Sequence, residues 1–169
     1  MQVNGYQIQA AIKEAKQRRD IAEARWDGSQ TAFADEQITH PTVHMEKIIA
    51  AEQQVAALQT LQSRYNLEVQ VTVDGKTHSL MEAVKLISAA ARVEQLWTRL
   101  TSANDGMSWR NGIVERTRQK DVETSKRLIS PDEASDKLVT AASYARRLRG
   151  AVAAGNAQFV HMDAARGLM

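Results

Sequence analysis

The chain contains no cysteine, two prolines and eight glycines, and aromatic residues make up only 5% of its 169 positions. Without thiols it has no disulfide, no thiolate nucleophile and no cysteine-based zinc site. The same absence fits a reducing compartment. Scarce Pro and Gly mean few obligatory turns, so the structural elements should be long. Few aromatics and frequent Ala favour narrow, close helix seams over a wide aromatic core. No stretch approaches the roughly 20 apolar residues that a spanning helix needs. Residues 1–20 are amphipathic and charged and do not read as a signal peptide. Neither sign of charge dominates: 22 Lys plus Arg against 20 Asp plus Glu leave a formal +2. That balance neither demands nor excludes a polyanion partner. These absences together predict a cytoplasmic protein that does not insert into a membrane and needs no cofactor.

Apolar residues account for 43% of the chain, as in ordinary folded proteins. The length suits one domain, expected over residues 1–156, with a C-terminal tail over 157–169. The pattern predicts a mainly α fold with a small β-hairpin, its long antiparallel helices forming a bundle or a coiled-coil-like pair. In residues 6–26, Ile8, Ile12, Ala15, Ala22 and Trp26 recur at steps of three and four, with Arg19 interrupting the seam. Asp27-Gly28 signals a turn, and Phe33 and Ile38 are expected to pin the connection that follows. Thr39 reads as a cap for a second helix over 42–66, whose seam is Ile48, Ala51, Val55, Leu58, Gln62 and Tyr65, widened by Ile49, Ala56 and Leu61.

The period then changes. Val69, Val71 and Val73 alternate with polar residues over 68–78, a half-buried strand pattern. Asp74-Gly75 is a favoured pair for a two-residue type I′ turn. Ser79 and Glu82 have capping-box spacing at the start of a third helix over 79–103. Its apolar residues form two stripes, Leu80, Val84, Ile87 and Ala91, then Leu86, Ala90, Val93, Trp97 and Leu100, with Leu96 between. So broad a face calls for more than one partner. Residues 107–114 read as a second extended segment. The stretch 115–128 is weakly patterned and admits a strand, an excursion or a short helix. Ser130-Pro131-Asp132-Glu133 then starts a fourth helix over 131–154 with a cap, a first-turn proline and acidic residues. Gly155-Asn156 is its expected end. Phe159 and Val160 are the candidate anchors of the tail.

In this order of elements, Arg64-Tyr65-Asn66, Asp74-Gly75-Lys76-Thr77 with Leu80, and Asn156 to Phe159 resemble the septicolysin-like family, small bacterial proteins of uncharacterised function. The resemblance covers residues 8–159. It implies a helical, self-associating protein and supplies no catalytic residues.

Candidate chemistry is sparse. His40 and His44 are four apart with Glu46 nearby, but two imidazoles make a weak metal site and HxxxHxE is not the metalloprotease pattern. His78 and His161 read as incidental. There is no phosphate-binding glycine loop and no nucleophile elbow. Basic residues concentrate at 110–127, including Arg116, Arg118 and Lys120, and again at Arg146, Arg147 and Arg149. With Trp109 as a stacking platform they make nucleic acid or another host or viral factor the alternative partner. The leading expectation is a non-enzymatic protein that self-assembles as a homo-oligomer through its helix seams, possession of another protein partner being open. Val69, Val71 and Val73 and the trio Val93, Trp97 and Leu100 are the expected core or interface positions.

Overall fold

Asn4 starts the first helix. Its side-chain oxygen accepts the Gln7 N–H at 2.9 Å, and the Gln7 side chain accepts the Asn4 N–H at 3.0 Å. This reciprocal box satisfies two donors that a helix start leaves orphaned. A computed structural model of the chain describes residues 1–32, 39–102 and 129–169. The expected loop anchors Phe33 and Ile38, the extended segment 107–114 and the basic stretch 110–127 lie outside the described residues.

The elements run β1 (Gln2–Val3), α1 (Gly5–Gly28), α2 (Pro41–Glu68), β2 (Gln70–Val73), β3 (Lys76–Ser79), α3 (Leu80–Ser102), α4 (Pro131–Ala157) and β4 (Val160–His161), followed by a short 3-10 turn at Asp163–Ala165. The protein is mainly helical, with two small antiparallel sheets of two strands each among the described residues. It divides into two compact bodies, residues 1–83 with 151–169, and residues 84–150.

In the first body α1 and α2 lie antiparallel. A Cβ on Gly5 would sit 3.0 Å from Cε1 of Tyr65, while Arg19 reaches Glu52 at 3.1 Å. The seam buries Ile8, Ile12, Ala15 and Ala22 of α1 and Ala51, Val55, Leu58, Leu61 and Tyr65 of α2. Ile49, placed in the widened seam by its sequence, is instead 51% exposed. Arg19 is tolerated in the seam because it stays partly exposed and bonds both Asp20 and Glu52; these hydrogen bonds raise its pKa above the ordinary arginine value. The cap of α2 is His40, not Thr39: its Nδ1 accepts the Thr42 N–H, and Pro41 occupies the first helical position.

The hairpin follows its sequence closely. Val73 pairs with Lys76 and Val71 with His78 across Asp74-Gly75, which take φ of 50° and 77° as a type I′ turn requires. Val69, Val71 and Val73 are 2%, 6% and 5% exposed. Val69 and Val71 join Leu80 and the α1–α2 residues in one core. The start of α3 departs from a full capping box. Ser79 Oγ accepts the Glu82 N–H at 3.2 Å, but the Glu82 carboxylate turns to His78 Nδ1 at 2.9 Å. His78 is therefore a partner at the strand–helix junction.

The C-terminus corrects two expectations. Helix α4 continues through Gly155 and Asn156 to Ala157. Residues 157–169 then carry β4, which pairs with β1 through Gln2–His161 and Val3–Val160, and the Met162 N–H donates to the Met1 carbonyl at 2.8 Å. The anchors of this segment are Met162 and Ala165, both in the core, with Val160 packed against it; Phe159 is 61% exposed.

Candidate functional site

The buried polar chemistry of the first body converges on Tyr65. Its side chain is fully buried, and its hydroxyl lies 2.8 Å from the Gly155 carbonyl and 2.7 Å from the Gln158 carbonyl, to which it donates. Burial pushes its pKa above the ordinary tyrosine value. Gly5 and Gly155 make room around it. A Cβ on Gly155 would lie 2.7 Å from Val71 and 2.8 Å from Leu80, and one on Gly5 would strike Asn156. This arrangement clasps the ends of α1, α2 and α4 to the hairpin. The Tyr65 hydroxyl is spent on the Gly155 and Gln158 carbonyls, so its role is cohesion.

The histidines do not converge into a ligand set. His40 is exposed, and its Nδ1 is occupied by Thr42. His44 is 8% exposed, and its Nδ1 has no hydrogen-bond partner. Among the described residues no group of three His, Cys, Asp or Glu side chains is placed to hold a metal ion.

Of the expected interface positions, the three valines of the hairpin are core and unavailable to a partner. The trio on α3 behaves differently. Val93 is 45% exposed, Trp97 and Leu100 are half-buried, and neighbouring Leu96 is 57% exposed. At spacings of three and four these side chains share a helix face. Of the other stripe, Leu80 is buried, but Val84 is 40% exposed and Ala91 is exposed. Within the second body, Leu86, Ala89, Ala90 and Val93 flank a shallow apolar groove of about 160 Å³ with Ala141 and Tyr144 of α4.

Among the basic candidates, Arg146, Arg147 and Arg149 are exposed on α4, and Arg147 donates to Ser143 Oγ at 2.8 Å. Arg116, Arg118 and Lys120 lie outside the described residues. A different basic feature escaped the sequence reading. An open cleft of about 320 Å³ runs between α1 and α2, with Arg18, Arg25 and Lys47 on its walls and alanines on its floor. Its signal was weak because the cations come from two helices far apart in the chain.

No described helix is long and apolar enough to cross a membrane. No family model matches the chain, and neither a curated protein nor a solved structure matches it.

Proposed function

We propose that this is a non-enzymatic interaction protein of the cytoplasm that associates with copies of itself through the apolar face of α3, as its resemblance to the septicolysin-like family also implies. The observation that carries this reading is the contiguous stripe Val93, Leu96, Trp97 and Leu100, in which the first two are 45% and 57% exposed. Fully burying a Val or Leu side chain contributes about 1.5–3 kcal/mol. Covering a face already half-buried contributes about half that per residue, so four such residues on each of two copies contribute about 6–12 kcal/mol against an association cost of about 4–15 kcal/mol. A self-complementary helix face is the economical way to close a two-fold assembly.

Light scattering on a gel-filtration column tests the proposal. The expected species is heavier than the 18.8 kDa chain. Val93→Glu with Leu96→Glu should return it to the monomer with its helical circular dichroism unchanged. A wild-type protein that stays monomeric at high concentration overturns the reading.

A further inference from the structure

The cleft between α1 and α2 has an ordered polarity along its length. Arg19 and Glu52 set the level of the two antiparallel helices. Counting six residues from that pair toward the connecting segment brings Arg25 of α1 level with Glu46 of α2 and beside Lys47, and Arg25 and Lys47 both line this end of the cleft. The middle is apolar: Ile21, which is 46% exposed, lines it together with Ala22, Ala50 and Ala51. The far end holds Arg18, already bonded to Glu14, and Gln54, whose amide donates to the Leu168 carbonyl. From Arg18 to Arg25 is about 10 Å at 1.5 Å per residue.

The two ends are therefore electrically unequal. No carboxylate pairs with Arg25 or Lys47 among the described residues, and none lines the cleft. His44, with its buried and unpartnered Nδ1, lies on the same helix face one turn beyond Lys47. Two cations that are unpaired among the described residues and line one alanine-floored trough create a local excess of positive potential beside exposed apolar surface. An inorganic anion would use only the charged end. A neutral hydrocarbon would leave both cations unsatisfied.

The geometry points to a binding site for a small amphipathic anion, with its charged head between Arg25 and Lys47 and a short apolar chain laid along Ile21, Ala22, Ala50 and Ala51. The cleft volume lies at the lower end of the range typical of small-ligand sites, roughly 300–1,000 Å³. Carboxylate and phosphate heads share the required chemistry, since Arg and Lys accept either.

Isothermal titration of the full chain with decanoate, decyl phosphate, decanol and inorganic phosphate tests the site. Saturable binding of decanoate or decyl phosphate at one per chain is expected, and the tighter of the two identifies the head. Decanol and inorganic phosphate should each bind at least tenfold more weakly. Arg25→Glu with Lys47→Glu should weaken the amphiphile at least tenfold. Ala50→Phe, which fills the trough and leaves the charges, should do the same. All these side chains are surface groups of the cleft, and circular dichroism checks that the variants remain helical. The inference is overturned if neither amphiphile saturates, if decanol or inorganic phosphate binds as well, or if the charge-reversed protein binds like the parent. It is equally overturned if only anionic vesicles, and no monomeric amphiphile, are bound.

Discussion

Two glycines on one helix should respond differently to the same substitution. Gly150 and Gly155 both lie within α4. A Cβ on Gly150 meets nothing within 4 Å, whereas one on Gly155 would press on Val71 at 2.7 Å and on Leu80 at 2.8 Å. Carbon pairs prefer about 3.5–4.0 Å. Both neighbours are buried, at 6% and 0% exposure, so neither can swing into solvent. Ala in place of Gly in a helix gains up to about 1 kcal/mol from backbone entropy. Gly150→Ala should collect that gain. Gly155→Ala should collect a similar gain and lose about 1–3 kcal/mol to overpacking. The difference between the two variants removes most of the propensity contribution and isolates the overpacking, about 1–3 kcal/mol. At this size that is roughly 2–4 °C in Tm per kcal/mol. Thermal and urea unfolding of the two variants measure it. A Val71→Ala change should partly rescue Gly155→Ala, because one of its two clashes disappears. If Gly155→Ala melts as high as Gly150→Ala, the close approach of α4 to the hairpin is not what requires glycine.

Tyr65→Phe should cost about 1–3 kcal/mol, since it withdraws a buried donor from the Gly155 and Gln158 carbonyls. The raised Tyr65 pKa means that the folded state holds the phenolic proton more tightly than the unfolded chain does. Its contribution is therefore complete below the unfolded value of about 10 and falls as pH rises through the folded value. Urea midpoints across that range should drop more steeply for the wild type than for Tyr65→Phe. Met162→Ala should lose about 2–5 kcal/mol as a core truncation, whereas a free tail would give no change. Leu58→Ala should lose a similar ~2–5 kcal/mol, while Leu96→Ala should change monomer stability by no more than about 0.5 kcal/mol and act on association instead.

The features most legible in the sequence were those set by local chemistry. Asp74-Gly75 specified its turn, the alternating valines specified the buried hairpin face, and Ser130-Pro131 specified the start of α4, where Ser130 Oγ accepts the Glu133 N–H at 3.1 Å. Features decided by distant partners were read poorly. Gly155 looked like a helix stop because Gly usually has that role, but here it answers to Val71 and Leu80. Glu82 has capping-box spacing, yet the neighbouring imidazole of His78 competes for its carboxylate. The C-terminal strand was invisible for a similar reason, since two residues carry no period and their partner is at the opposite end of the chain. The Asn4–Gln7 box, by contrast, was present in plain spacing and overlooked.

The same division bears on function. Where the chain needs cohesion, its polar groups are consumed internally: Tyr65 on two carbonyls, Ser29 on the Trp26 carbonyl, and Glu82 on His78. Groups so engaged gain little from a ligand, because binding one first requires breaking the bond already made. Two surfaces with something left to gain are the α3 stripe, with apolar area still in water, and the cations Arg25 and Lys47 beside exposed Ile21. The stripe gains from burial alone, so its association should weaken little in salt. The cleft gains from charge and burial together, so its affinity should fall as ionic strength rises. Measuring oligomer dissociation and amphiphile binding across one salt series therefore separates the two sites in the intact protein. A common salt dependence would mean that a single surface accounts for both.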